Sequence, residues 1–215
     1  MKKDFTELVF ILDRSGSMGG LETDTIGGFN SLIEKQKKEE GTVVVSTVLF
    51  DDQMEIIHDR VNLSEVKKLT DKEYYVRGCT ALLDAVGSTI RHIESVQKGL
   101  SDEEKPEKTL FVITTDGFEN ASKEYTYKAV KSLIDQSKKN GFEYLFLGAN
   151  IDAEAEAERI GISRKNAVRY QNDKESIGVN YDAISATVSH VRMMKCVPEG
   201  WSGKIKENYK KKTNK

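Results

Sequence analysis

The chain has 215 residues, 33 basic and 35 acidic side chains and a formal charge of −2; that length suits one domain burying about 70% of its unfolded surface, with no need of a disulfide or metal staple. Its two cysteines, Cys79 and Cys196, are too few for a disulfide framework and lack metal-ligand spacing, so free thiols are expected. No apolar run reaches the length of a membrane span and the first residues lead straight into a strand, which argues against a membrane protein and for a soluble, cytoplasmic one.

The first strand is an unbroken apolar run over residues 8–12, the pattern of a strand buried on both faces of a parallel sheet, and it stops at Asp13. In Asp13-Arg14-Ser15-Gly16-Ser17 the acid is followed by hydroxyls at alternate positions, and Gly16 lets the backbone curl so that they converge. These side chains offer only oxygen. They sit at the edge where α/β proteins place their ligands, and they outline a loop for a hard cation. Ile26, Phe29, Leu32 and Ile33 then predict a helix running to about residue 40 and closed by Gly41, a punctuation repeated at Gly99, Gly141 and Gly161. Gly27 and Gly28 lie inside that helix without the frame of a phosphate loop, so close approach of helix to sheet is the expected reason for them.

A strand over 43–50 and another over 54–57 are separated by three residues, too few for a parallel crossover, so they must form a hairpin with one antiparallel edge strand. Asp51 and Asp52 read as its turn residues rather than as an acidic rim. A short helix is expected over 63–69, then a loop through Tyr74, Tyr75 and Arg77 to Gly78-Cys79-Thr80. The next helix begins near Ala81 with Leu82, Leu83, Val86, Ile90 and Ile93 on one stripe. Thr80, just before it, adds a neutral oxygen at the same edge; Asp84, one turn later, either orients a metal-bound water or simply favours the helix start. Cys79 reads as a small buried filler.

A charged loop with Pro106 leads into the apolar strand 109–115, which again ends at an acid, Asp116, followed by Gly117. Strands linked by crossovers run parallel, so Asp13 and Asp116 belong at one edge, where two unpaired carboxylates repel unless a cation neutralises them. Glu119, Asn120 and Ser122 are placed to touch a ligand, but for Asn120 or Ser122 the preferred reading is a cap on the helix containing Val130, Leu133 and Ile134. Strands follow at 144–147 and, more weakly, at Ala167-Val168, with Asp152 capping the helix between them. The last long helix, through Ile177, Tyr181, Ile184, Val188 and Val191, reads as core. His58, His92 and His190 are scattered without ligand spacing.

The whole is an α/β, doubly wound, Rossmann-like fold: a mostly parallel six-stranded sheet with one antiparallel edge strand and helices on both faces, over residues 1–197. Residues 204–215 carry six lysines and one glutamate, net +5, leaving −7 on the remainder. Residues 198–215 are therefore expected to be a basic, flexible, solvated tail, and this alone is too little to make nucleic acid an expected partner.

Asp13-x-Ser15-x-Ser17, Thr80 within Gly-Cys-Thr-Ala-Leu-Leu-Asp-Ala, and Asp116-Gly117 after an apolar strand resemble the three parts of the metal-ion-dependent adhesion site of von Willebrand factor type A domains. The likeness extends from about residue 5 to at least residue 191. It implies a Mg²⁺ or Mn²⁺ ion held by Ser15, Ser17 and Thr80, directly or through water, with Asp13 and Asp116 bound directly or through hydrogen bonds. It also implies an open coordination position that takes an Asp or Glu side chain of a partner protein. Mg²⁺ prefers about six oxygens and keeps its waters, and the absence of thiolate or imidazole disfavours softer metals. The expectation is a binding module and not an enzyme. The alternative is a phosphatase-like Mg²⁺-dependent phosphoryl transferase using the acid at the tip of the first strand. Such enzymes need a second carboxylate two residues on, where this chain has Ser15.

Overall fold

The computed structural model describes residues 4–213. In chain order its elements are β1 (Phe5–Asp13), α1 (Glu22–Gln36), β2 (Thr42–Phe50), β3 (Met54–Asn62), α2 (Leu82–Gly99), β4 (Lys108–Thr115), α3 (Tyr127–Lys139), β5 (Phe142–Ala149), α4 (Ala153–Arg159), β6 (Ala167–Tyr170), α5 (Lys174–Met194) and α6 (Gly203–Thr213). The six strands form one sheet in the order β3-β2-β1-β4-β5-β6. All neighbours are parallel except β2 and β3, whose three-residue connection forces the predicted hairpin.

Every residue of β1 is buried, because alternate side chains enter two separate cores. Leu8, Phe10 and Leu12 pack with α1, α5 and α6, whereas Val9 and Ile11 pack with α2, α3 and α4. Leu12 pairs with Thr114 across the β1–β4 register, so the strand ends carrying Asp13 and Asp116 arrive at the same crest. Gly141 and Gly161 adopt the left-handed backbone expected of helix stops, with φ of 85° and 91°, whereas Gly41 (φ 100°) lies beyond the end of α1 at the entry to β2 and Gly99 is the last residue of α2 without that conformation.

Three local expectations are corrected. The first helix ends at Gln36 rather than near residue 40, because the Arg192 guanidinium of α5 takes the terminal carbonyls: it donates to Gln36 O (2.8 Å), Glu39 O (3.0 Å) and Glu40 O (2.7 Å). Residues 63–69 hold only a single 3₁₀ turn, Leu63–Glu65. Val66 and Leu69 turn into the core, and the Asn30 side chain satisfies both backbone groups of Leu69 at 2.8 Å. The third correction concerns the basic tail. Residues 203–213 form α6, anchored by buried Trp201 and Ile205. Trp201 donates its indole N–H to Lys165 O (3.0 Å), and Lys212 pairs with Asp173 (2.6 Å) and Glu175 (3.1 Å). One apolar side chain per few lysines suffices because the lysine stems and their acidic partners cover the rest. The domain therefore runs beyond residue 197; residues 214–215 lie outside the described residues.

The glycine pair in α1 also differs from expectation. A Cβ on Gly28 would stand 2.2 Å from the Tyr181 ring, so the close approach is between helices α1 and α5 rather than helix and sheet, while Gly27 has nothing within 4 Å. Gly28→Ala is accordingly expected to destabilise the protein by about 1–3 kcal/mol through overpacking, and exposed Gly27→Ala to stabilise it by up to about 1 kcal/mol through helix propensity. Urea denaturation of the two variants checks the opposite signs.

Candidate metal centre

β1 delivers Asp13 to the crest almost fully buried, and both its carboxylate oxygens are engaged. Oδ1 accepts the Ser15 N–H (2.7 Å) and Oδ2 accepts the Thr115 hydroxyl (2.6 Å). Burial pushes the Asp13 carboxyl above the usual carboxylate range, and these hydrogen bonds only partly oppose it. The Tyr74 hydroxyl donates to the Asp13 carbonyl (2.5 Å), fixing the strand end from below.

The loop beyond it curls as Gly16 allows. Ser15 Oγ lies 3.1 Å from Ser17 Oγ, and the Ser17 hydroxyl donates to Asp116 Oδ1 at 2.5 Å. The other Asp116 oxygen accepts the Asn172 side-chain N–H (2.7 Å). Burial, aided by the nearby Asp13 charge, pushes Asp116 up to about 6 against the hydrogen bonds from Ser17 and Asn172. Thr80 reaches the same place from a third segment. A Cβ on Gly117 would sit 3.1 Å from Thr80 Oγ1 and 3.2 Å from Ser17 Oγ, so the absent side chain leaves these hydroxyls facing one small cradle.

The five predicted residues, Asp13, Ser15, Ser17, Thr80 and Asp116, thus meet at one point from three distant segments. As a set they fit a hard divalent cation: two buried carboxylates whose proton affinity burial raises, three neutral hydroxyls and no nitrogen or sulfur. Among the described residues no group of three or more His, Cys, Asp and Glu is placed to hold a metal, so any ion here depends on the hydroxyls.

The loops around the cradle are laced together. Gly16 N–H donates to Gly78 O (3.2 Å). Thr80 N–H donates to Asn120 Oδ1 (2.9 Å) and Asn120 N–H returns to Thr80 O (3.0 Å). Glu119 accepts the Leu83 N–H (2.9 Å) and Ser122 Oγ accepts the Asp84 N–H (3.0 Å), so these residues cap α2. That corrects the role expected of Asn120 or Ser122 on the following helix, α3, whose cap is Thr126. Asp84 does not face the cradle; its carboxylate accepts the backbone N–H groups of Lys123, Glu124 and Tyr125 (2.7–3.0 Å). Cys79 is exposed on the rim rather than buried, and Cys196 is likewise a free, exposed thiol. His58 is buried against Phe29, where desolvation lowers its pKa, and His92 lies beside Asp59.

Sequence reasoning missed Asn172, Thr115 and Tyr74. Thr115 was signalled by its place beside Asp116. Asn172 had a weaker sign, its position just after a short strand, β6, that ends at the same crest.

The sequence profile of the von Willebrand factor type A domain matches residues 7–180. No curated protein matches the chain in sequence. Among solved structures, proximal thread matrix protein 1 from the mussel byssus superposes with a TM-score of 0.60 at 15% identity, covering 86% of this chain and 46% of that one. A second structure of the same mussel protein carries a zinc-occupied adhesion-site motif (TM-score 0.58, 14% identity, 86% and 46% coverage). The domain of the type V pili tip protein Mfa5 from Porphyromonas gingivalis superposes at 0.61 with 11% identity, covering 86% of this chain and 95% of that one. The chain thus spans less than half of the mussel protein, and at these identities the likeness is one of fold.

Proposed function

The chain belongs to the von Willebrand factor type A domain family, and from that premise we propose that its crest is a Mg²⁺-dependent grip for an acidic side chain of a partner protein. Domains of this family are metal-dependent protein-interaction modules. The observation that carries the reading is the convergence of Ser17, Thr80 and Asp116 on the space beside Gly117, with Asp13 and Ser15 hydrogen-bonded into the same cluster. Ser15, Ser17 and Thr80 would hold the ion with Asp13 and Asp116, and the two carboxylates would balance its double charge. A bound Mg²⁺ or Mn²⁺ supplies an electrophilic position for a carboxylate. Zinc occupies the motif in the mussel protein; the all-oxygen donor set here favours the harder ions.

Phe118, 67% exposed and two residues past Asp116, supplies an apolar contact beside that grip. The partner therefore presents Asp or Glu next to an apolar side chain. Binding, not catalysis, is the proposed role: Ser15 stands where a phosphoryl-transfer enzyme of the alternative class would carry its acid. A cytoplasmic setting belongs to the same proposal and agrees with two exposed, unpaired thiols. Among the described residues no helix is long and apolar enough to cross a membrane.

A pull-down from the native extract, run in Mg²⁺, in EDTA and with Thr80→Ala, tests the proposal. Proteins retained in Mg²⁺ alone, lost with EDTA or the variant and displaced by a short Glu-containing peptide, are the expected result. Retention indifferent to both metal and Thr80 would overturn it, as would phosphate-ester hydrolysis abolished by Asp13→Asn.

A further inference from the structure

We propose that a cleft of about 360 Å³ at the opposite end of the sheet, beside the start of β5, binds a small zwitterion of the α-amino-acid class, with Glu94 receiving the ammonium group. Glu94 lies on α2, is only 6% exposed and lines this cleft, yet its Oε1 is buried with no hydrogen-bond partner among the described residues. A buried carboxylate oxygen without a donor is costly, and a cation or amine supplied from outside removes that cost.

The neighbouring donors are already committed. The Ser137 hydroxyl donates to Ile134 O (3.0 Å) and so receives the Tyr144 hydroxyl proton across their 2.6 Å contact, which leaves Tyr144 none for Glu94. Gln97, three residues along α2, spends its amide on Glu7 Oε2 (2.7 Å) and Thr109 Oγ1 (2.9 Å). Lys98, one helical turn on, forms no ion pair among the described residues.

The rest of the cleft defines the ligand. Lys98 gives it a positive charge suited to a carboxylate, Lys105 being paired with Asp102 at 2.9 Å, while buried Phe142 and Pro106 give it an apolar wall. One buried carboxylate, the Lys98 ammonium group and an aromatic wall match the ammonium, carboxylate and apolar side chain of one amino acid. The volume falls within the range of small-molecule sites, about 300–1,000 Å³.

Amide NMR titration of the full chain with L-phenylalanine, phenethylamine and 3-phenylpropionate tests the site. L-Phenylalanine is expected to shift the amides of Lys98, Asn140 and Phe142 saturably at millimolar concentration, phenethylamine to do so more weakly, and 3-phenylpropionate to leave them unmoved. Isosteric Glu94→Gln is expected to weaken L-phenylalanine binding about tenfold or more, the loss of one charge-assisted hydrogen bond. No shift with either amine, binding of 3-phenylpropionate alone, or equal binding by Glu94→Gln would overturn the proposal. The titration is made in EDTA, so its outcome is separate from that of the metal centre.

Discussion

Asp51→Asn is expected to destabilise the protein by about 3–5 kcal/mol, the cost of leaving a buried charge without its partner. Arg14 is fully buried directly after Asp13, and its Nε lies 2.9 Å from Asp51 Oδ2, which also receives Arg77 Nε at 2.7 Å. Arg14 donates further to Glu73 O (3.1 Å) and pairs with Glu55 (2.9 Å). Glu55 is half exposed, so Glu55→Ala is expected to cost no more than about 1 kcal/mol. Burial alone would raise the Asp51 carboxyl, but hydrogen bonds from Arg77, the Gln53 backbone and Arg14 outweigh it and hold its pKa below the usual range. The folded state then binds fewer protons than the unfolded one. The contribution of Asp51 is complete above its unfolded pKa of about 4 and is lost as pH falls through the lower folded value. Asp51→Asn should therefore flatten the acid limb of stability as well as lower its plateau. Urea denaturation at neutral pH and at acid pH checks both effects; a cost under about 1 kcal/mol would mean that Arg14 is satisfied by Glu73 and Glu55 alone.

Mg²⁺ at about a hundredfold its dissociation constant is expected to stabilise the wild-type protein by about 2.7 kcal/mol, which for a chain of this size raises Tm by about 5–10 °C. The proposed site exists only where Asp13, Ser17, Thr80 and Asp116 meet, so the unfolded chain would not share the gain. Asp116→Asn should lose that increment. In EDTA the same variant should be at least as stable as wild type, because it removes one of two mutually repelling acids and keeps hydrogen-bonding atoms for Ser17 and Asn172. The order of stabilities thus reverses between EDTA and Mg²⁺. Thermal melts in the two conditions read this directly, and a variant that unfolds in both would instead make Asp116 a structural acid.

The sheet was legible because its physics is local. A strand buried on both faces must be continuously apolar, as β1 is, and a three-residue link permits only a hairpin, as between β2 and β3. The five crest residues were legible because each follows an apolar run or opens a helix. What escaped depends on distant partners. α6 shows the sequence lysines with only Ile205 fully buried among them, and its docking rests on Trp201 and on acids thirty-odd residues earlier. Asp51 read as a turn residue, which it is, with Oδ1 accepting the Gln53 N–H at 2.8 Å; its ion pair with Arg14 spans thirty-seven residues and leaves no local mark. Asn172 follows a four-residue strand, β6, too short to announce an edge.

Titration calorimetry of the purified chain with MgCl₂ and MnCl₂, set beside Asp116→Ala shown to be folded by circular dichroism, tests the metal centre most directly. The account predicts saturable uptake of one ion per chain by the wild type and little or none by the variant. No uptake of either ion by the wild type, or equal uptake by the two proteins, would contradict it.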